Sequence, residues 1–143
     1  MSLDPPKVML ERSFLDAIAD PEHPRHDECV DSYRRLLEQF ERQEVLLVAV
    51  GTHLRDVGIG ESPPGGARAK WFVHRVHRGL FAPVEPLYVG WQHRRTAART
   101  KVDDDVVAIT LVMCERHRVR RIASINEAFE EYELTHEHGV PQG

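Results

Sequence analysis

The chain has 143 residues, of which 41% are hydrophobic and 29% charged, and its formal net charge at pH 7 is −4. A chain of this length forms one domain around a single core, and its mildly acidic charge argues against a protein dedicated to coating nucleic acid. We expect one domain over residues 1–135 and a flexible tail over residues 136–143.

The cysteines and the apolar segments exclude several classes of protein. Cys29 and Cys114 stand far apart without a CxxC spacing, so neither a disulfide framework nor a zinc site is indicated. Residues 1–7 contain no apolar segment of the kind that signal peptides carry, and no apolar stretch approaches the length that spans a bilayer. We therefore expect a cytoplasmic protein that is not inserted in a membrane.

In the first half of the chain, short apolar runs alternate with segments of helical periodicity. A continuous run rich in β-branched residues is typical of a strand buried on both faces, and an apolar stripe at helical spacing is typical of an amphipathic helix. The predicted elements are a strand at 8–10 ending at Glu11, a helix capped by Ser13 and ending at Ile18, a helix at 27–42, a strand at 45–50 and a helical turn at 51–57.

The second half continues the alternation after a glycine- and proline-rich loop. Its predicted elements are the loop at 58–66, a helix at 67–80, a strand at 87–89 that follows a break at Pro86, a buried helix at 105–117 and a last strand at 122–125. Alternating strands and helices predict a three-layer α/β/α fold with a central, mostly parallel sheet.

Polar residues follow the predicted strands and open the helix that precedes the last one. They are Glu11, Thr52, Asp56, Asp103, Asp104, Asp105, Ser124 and Asn126. Because ligands of parallel sheets bind at the carboxyl ends of the strands, we expect these side chains to converge. Aspartates at the start of a helix also cap free N–H groups, but three in a row exceed that need, and carboxylates are the ligands that Mg²⁺ prefers.

Basic residues are concentrated in the middle of the chain, between acidic flanks. Four of them are candidates for contact with RNA: Arg75, Arg78, Arg94 and Arg95. Trp91 lies beside the second pair and is a candidate for stacking on bases, whereas Trp71 falls on an apolar helical stripe and is assigned to the core.

The order and spacing of these segments resemble the PIN-domain family, which includes the VapC-type toxins of toxin–antitoxin pairs. Residues 8–15 resemble its opening strand and the following Ser or Thr, residues 48–57 resemble the stretch with its Glu, and residues 105–116 resemble its buried helix that begins with Asp. Residues 122–129 resemble its closing strand, in which an Asp is followed three residues later by Phe.

The resemblance implies an endoribonuclease that cleaves RNA phosphodiesters with Mg²⁺ or Mn²⁺. It implies Glu11, Asp56, Asp104 and Asp105 as catalytic and metal-binding residues, with support from Ser13, Ser124 and Asn126. It also implies RNA as the substrate, an antitoxin protein as the inhibitor, and a homodimer.

Three residues depart from the family pattern. Glu11 stands where the family has Asp, the shorter Asp56 stands where it has Glu, and Asn126 replaces the last acid, which weakens binding of a second metal ion. Two alternatives therefore stand beside the nuclease: a PIN-like domain that has lost its chemistry and binds RNA or protein, and an unrelated α/β domain whose aspartates are a helix cap.

Overall fold

The computed structural model describes residues 4–59, 81–130, 132 and 135–136. The strands are β1 (Lys7–Leu10), β2 (Leu46–Val50), β3 (Glu85–Leu87), β4 (Arg121–Ala123) and β5 (Thr135–His136). The α-helices are α1 (Arg12–Ala19), α2 (His26–Glu41), α3 (Gly51–Ile59), α4 (Trp91–Ala98) and α5 (Asp105–Arg116), and a 3₁₀ turn spans Glu127–Phe129.

The five strands form one sheet in the order β3-β2-β1-β4-β5, and every pairing between neighbours is parallel. From β1 the chain moves outward on one side through β2 and β3 and then crosses to the other side of β1 to form β4. The sheet therefore reverses its strand order between β1 and β4. In open parallel sheets, the crevice at such a reversal is where ligands bind.

Alternate strand residues enter two different cores, one on each face of the sheet. Val8 and Leu10 of β1 pack with α1, α2 and Val57 of α3, whereas Met9 between them packs with α5. Strand β2 divides in the same way, since Leu47 and Ala49 join the first core and Val48 and Val50 join the second. Helices thus cover both faces, which confirms the predicted three-layer α/β/α architecture.

Most predicted elements are present, with three differences at their ends. Helix α1 begins at Arg12 with Glu11 at its N-cap, so Ser13 does not cap it. Helix α3 continues through Gly58 to Ile59 rather than ending at Val57. Strand β4 covers Arg121–Ala123, so Ser124 and Ile125 lie just beyond the strand that was predicted to contain them.

Around β3 the prediction from sequence is wrong. The strand is Glu85–Leu87 and contains Pro86, which was expected to break the chain before a strand at 87–89. Because β3 is an edge strand, a residue without an N–H is tolerated there. Helix α4 was not predicted, because it buries none of its residues and so shows no apolar stripe.

Three further predictions lie partly or wholly outside the described residues. The predicted loop at 58–66 beyond Ile59 and the predicted helix at 67–80 fall there, and so do residues 137–143 of the predicted tail. His136, which was assigned to that tail, belongs to β5 and pairs with Ile122. Over the described residues, the sheet therefore has one more strand than the sequence indicated.

Gly51 allows α3 to begin directly at the end of β2. A Cβ atom at this position would lie 2.8 Å from the carbonyl oxygen of Leu87, which is backbone and cannot rotate away. Glycine thus permits the close approach of α3 to the end of β3. This approach sets the position of Thr52 and His53, the next two residues of the helix.

Both cysteine thiols are free and buried, and burial raises the pKa of Cys29 to about 11 and that of Cys114 to about 12.

Within the described residues, no helix has the length and apolar character needed to cross a membrane.

Candidate functional site

The candidate site lies where the sheet reverses, at the carboxyl ends of β1 and β4. Leu10 and Ala123 are paired in register, so the residues that follow them, Glu11 and Ser124, leave the sheet side by side. The Glu11 N–H continues the ladder by donating to the Ala123 carbonyl at 3.0 Å. Parallel register therefore brings together two side chains that are 113 residues apart in the chain.

The carboxyl group of Glu11 is buried and bound by two serine hydroxyls. Ser124 Oγ donates to Glu11 Oε1 at 2.6 Å, and Ser13 Oγ donates to the same oxygen. The same hydroxyls accept hydrogen bonds from the backbone, Ser13 from Ile125 N at 3.1 Å and Ser124 from Asn126 N at 3.0 Å. We call Glu11, Ser13 and Ser124 the Glu11 centre, and it ties β1, α1 and the segment after β4 to one carboxyl group.

The pKa of Glu11 is raised above its ordinary value of 4.5, mainly because the carboxyl group is buried. The hydrogen bonds from Ser124 and Ser13 act in the opposite direction, and the nearby charge of Asp16 adds to the increase. Only 2% of the residue is exposed to solvent. The Glu11 centre is therefore a closed hydrogen-bonded core rather than an open carboxylate.

Beside the Glu11 centre, the guanidinium of Arg12 contacts two aspartates. Its Nε lies 3.1 and 3.2 Å from the two carboxylate oxygens of Asp16, one turn further along α1. Its Nη1 lies 3.6 Å from Asp56 Oδ2 on α3. The side chains of both aspartates are about half exposed, at 47% and 54%. Arg12 thus joins α1 to α3 through opposite charges at the rim of the site.

The three consecutive aspartates have different roles in the structure. Asp104 is the N-cap of α5, and its Oδ1 accepts hydrogen bonds from Val106 N at 2.9 Å and from Val107 N at 3.3 Å. All three aspartates are exposed, and Asp105, which begins the helix, is the one that lines a cavity. Asp104 thus acts as a helix cap, and Asp105 is the aspartate of the triplet that a ligand in the cavity would meet.

The side chain of Asn126, which the resemblance places in support of the acidic residues, has a local partner in the structure. Its Oδ1 accepts a hydrogen bond from Ala128 N at 3.0 Å and caps the 3₁₀ turn. The turn ends at Phe129, which is fully buried in the second core. Asn126 is thus a local capping residue that fixes the path of the chain after β4.

A cavity of about 280 Å³ opens between α3, α4 and α5. Its polar lining comes from Thr52, His53, Arg94 and Asp105, and its apolar wall includes Val89, Ala97 and Ile109. We call it the Arg94 cavity. A lining with a cation, a carboxylate and apolar surface suits a ligand that has both a charged group and a flat apolar part.

His53 connects the Arg94 cavity electrostatically with the Arg12 contacts. It is 7% exposed, and its Nδ1 has no hydrogen-bond partner among the described residues. Burial lowers the pKa of His53, the charges of Arg12 and Arg94 lower it further, and Asp56 and Asp16 oppose them. Burial and the two arginines therefore favour the neutral form of the imidazole.

Of the four arginines expected to contact RNA, two lie in the described residues. Arg94 and Arg95 are exposed on α4, beside Trp91, which is 66% exposed. Tyr88, three residues earlier, is 82% exposed. Arg75 and Arg78 lie outside the described residues. Aromatic and basic side chains are thus exposed together on α4 and just before it, and Arg94 among them lines the Arg94 cavity.

No protein-family model and no curated protein matches the sequence. A solved structure does match: VapC20 of Mycobacterium tuberculosis, described as a toxin that cleaves the sarcin–ricin loop. The two chains superpose with a TM-score of 0.60 and 13% sequence identity, over 87% of this chain and 93% of the other. This protein has a PIN-like fold. The resemblance to the PIN-domain family, which the order and spacing of the segments predicted, is confirmed at the level of the fold.

The resemblance to the PIN-domain family implies a divalent metal ion held by the acidic side chains. Carboxylates are suitable donors for Mg²⁺ or Mn²⁺. However, over residues 4–59, 81–130, 132 and 135–136 no three His, Cys, Asp or Glu side chains are grouped closely enough to hold a metal ion. Glu11 is bound by serines, Asp104 caps α5 and Asp56 is paired with Arg12. In this arrangement the described residues do not fit a bound metal ion.

Three residues of the PIN-like site were not found from the sequence. Arg12 and Asp16 have the i, i+4 spacing of a helical ion pair, so this pattern was available as a signal. No sequence pattern identified His53, because its place in the site depends on the burial of its side chain in the folded protein.

Proposed function

We propose that this protein acts on RNA as an endoribonuclease of the VapC type. The observation that carries the proposal is the PIN-like fold, with acidic side chains at the carboxyl edge of its sheet where the strand order reverses. VapC20, which has this fold, is a toxin that cleaves an RNA loop. The proposal assigns cleavage of RNA phosphodiesters to the edge that carries Glu11, Asp56 and Asp105.

Contact with the RNA strand is assigned to α4 and the residues just before it. Single-stranded RNA is bound by aromatic side chains that stack on bases and by cations that pair with phosphates. Trp91 and Tyr88 are strongly exposed, and Arg94 and Arg95 follow Trp91 by one helical turn. We propose that a base stacks on Trp91 while Arg94 holds the adjoining phosphate at the mouth of the Arg94 cavity.

Metal dependence is part of the proposal, with Mg²⁺ or Mn²⁺ as the ion. The resemblance assigns its ligands to Glu11, Asp56, Asp104 and Asp105. Since the described residues do not gather these side chains, we assign no step of the reaction to the ion. Asp56, Asp104 and Asp105 are the exposed residues of the set, and Asp104 is already used as the N-cap of α5. We therefore assign the orientation of a water molecule or an RNA hydroxyl to Asp56 and Asp105.

Two partners follow from the same resemblance. We propose an antitoxin protein that places a basic side chain against the exposed carboxylates, and a homodimer as the assembly. No residues are assigned to the dimer interface.

The experiment that tests the proposal is cleavage of RNA by the purified protein. The substrates are a mixed RNA and a hairpin with the sarcin–ricin loop sequence, each with Mn²⁺, Mg²⁺ or EDTA. We expect cleavage that needs the metal and that is lost in Asp56→Asn and Asp105→Asn. Asp31→Asn is the matched control, because Asp31 is an exposed aspartate on α2. Cleavage that persists in both site variants would place the activity elsewhere or in a contaminant.

A second candidate is a PIN-like module that binds RNA without cleaving it. The observation that favours it is the engagement of the acidic residues, with Glu11 bound by two serines and Asp56 paired with Arg12. It predicts that the RNA binds with unchanged affinity in EDTA and stays intact with either metal.

A further inference from the structure

We infer that Arg12 is a built-in competitor of the divalent metal, occupying with its guanidinium the position that a cation would take between Asp16 and Asp56. The inference rests on the proposed function, because a VapC-type nuclease has to admit a metal ion at this edge of the sheet. The PIN-like fold implies a metal ion, whereas the described side chains do not gather around one. An arginine in the place of the ion would account for this difference.

The geometry assigns one cation to both aspartates. The Arg12 guanidinium lies 3.1 Å from Asp16 through Nε and 3.6 Å from Asp56 through Nη1, so a single positive group connects a residue of α1 with a residue of α3. Magnesium in proteins is commonly held by one or two carboxylates while waters complete its shell. Two carboxylates that share one cation therefore form the protein part of such a site, with an arginine in place of the ion.

The position of Arg12 in the chain places its side chain within reach of both aspartates. Arg12 follows Glu11 directly, so its backbone is fixed by the end of β1 and by the first turn of α1. Asp16 lies one helical turn further on the same face, and Asp56 reaches the guanidinium from α3. The side chain of Arg12 is 30% exposed, so the contact is accessible to a competing ion rather than sealed in the core.

The charges around Asp16 and Asp56 also favour a cation. Glu11 precedes Arg12 and is close enough to Asp16 for the Asp16 charge to raise the pKa of the Glu11 carboxyl. Arg12 is the cation that both aspartates share, and the ion pairs of the described residues include no second cation for either of them. Removing the charge of Arg12 therefore leaves a pair of acids whose repulsion a divalent ion would relieve.

The test is titration of Mn²⁺ into RNA-free protein, followed by calorimetry and by the electron paramagnetic resonance signal of free Mn²⁺. We expect Arg12→Gln and Arg12→Met to bind Mn²⁺ roughly ten-fold or more tightly than the wild type, because a unit charge at about 4 Å from the ion is removed. Arg12→Lys keeps the charge and should bind as weakly as the wild type. Two neutral variants are used so that poor folding of one, checked by circular dichroism, does not decide the result.

Arg25→Gln is the matched control. Arg25 has the same 30% exposure and pairs with one carboxylate, Glu28 at 3.2 Å, away from the sheet edge. It should leave the Mn²⁺ affinity unchanged. The double variant Arg12→Gln/Asp56→Asn should lose the gain, because it removes one of the two proposed ligands. Equal affinity in the wild type and both neutral Arg12 variants, or a gain that survives the double variant, overturns the inference.

These results are separable from those of the proposed function. A gain in Mn²⁺ affinity without RNA cleavage in any variant supports the role of Arg12 and refutes the nuclease. Metal-dependent cleavage by the wild type, together with an unchanged Mn²⁺ affinity in the neutral variants, supports the nuclease and refutes the role of Arg12.

Discussion

The Glu11 centre and the Arg94 cavity lie on the same PIN-like scaffold but differ in how their polar groups are used. In the Glu11 centre, the carboxyl group is buried and both serine hydroxyls donate to it and accept from the backbone. In the Arg94 cavity, Arg94 and Asp105 are exposed, and the buried His53 has a ring nitrogen without a partner among the described residues. The comparison suggests that the first region stabilises the fold and that the second is free to bind a ligand.

The largest expected effect comes from removing both hydroxyls of the Glu11 centre. Ser13→Ala/Ser124→Ala removes both hydroxyl donors from the buried Glu11 carboxyl group, which keeps the backbone N–H of residue 13. The same change takes their acceptors from the N–H groups of Ile125 and Asn126. We expect the free energy of unfolding to fall by roughly 2–5 kcal/mol, since each unsatisfied buried group costs about 1–3 kcal/mol. Urea unfolding followed by circular dichroism measures it.

Thr96→Ala is the control for the serine pair. Its hydroxyl also makes one hydrogen bond, to the Gln92 carbonyl at 3.0 Å, but on the exposed surface of α4. Its effect should stay within about 0.5 kcal/mol. If Thr96→Ala and the double serine variant lowered the free energy of unfolding equally, the Glu11 centre would not be a stabilising region distinct from the open Arg94 cavity.

Trp91→Ala should have the opposite signature, a loss of RNA affinity with unchanged stability. Stacking of one base on an aromatic side chain contributes about 1–3 kcal/mol, and the exposed Trp91 ring adds little to the core. Fluorescence anisotropy with a labelled single-stranded RNA measures the affinity, and urea unfolding measures the stability. Gln92→Ala, at an exposed neighbouring position of the same helix, should change neither. Unchanged RNA affinity in Trp91→Ala would remove α4 from the RNA path.

Two neighbouring aspartates at the start of α5 provide a test, with a smaller expected effect, of which residues stabilise the fold and which are free to bind a ligand. Asp104→Ala removes a cap that accepts from two backbone N–H groups, and should lower the free energy of unfolding by about 1 kcal/mol. Asp104→Asn should restore most of it, because asparagine is also a good cap. Asp103→Ala makes the same change of charge at an exposed position without a cap, so thermal unfolding should detect little difference from the wild type. Equal losses for Asp103 and Asp104 would show that charge, not capping, is what matters at this helix start.

The sequence was informative where one local pattern decides the structure. The apolar run of β2 and the stripe of α2 predicted those elements within about one residue. Helix α4 was missed because none of its residues is buried, and the start of its first turn depends on His93, whose Nδ1 accepts from Gly90 N at 2.9 Å. Periodicity does not reveal a helix of that kind.

At the site, the sequence predicted that Glu11 and Ser124 lie at the sheet edge but not that they bind each other there. Glu11 and Ser124 converge because parallel register places the ends of β1 and β4 side by side. An aspartate can be either a helix cap or a metal ligand, so the residue type alone does not decide its role. Asp104 caps α5 through a hydrogen bond of 2.9 Å, and Asp56 lies 3.6 Å from the Arg12 guanidinium. Such a choice is made by the geometry of the folded chain.

The last prediction uses pH to separate burial from hydrogen bonding in the Glu11 centre. In the folded state the pKa of Glu11 is raised above 4.5, so the folded protein binds this proton more tightly than the unfolded chain. The contribution of Glu11 to stability is then fully present below pH 4.5 and is lost as the pH rises through the folded-state pKa. Glu11→Gln keeps an oxygen that accepts from Ser13 and Ser124 but never ionises, so the variant should gain stability relative to the wild type as the pH rises above 4.5, and the difference should level off above the folded-state pKa. Urea unfolding of both proteins between pH 4 and pH 8 measures this difference. If instead the wild type became the more stable protein with rising pH, the serine hydrogen bonds would outweigh burial, and the Glu11 centre would hold an ionised carboxylate that is available to a cation.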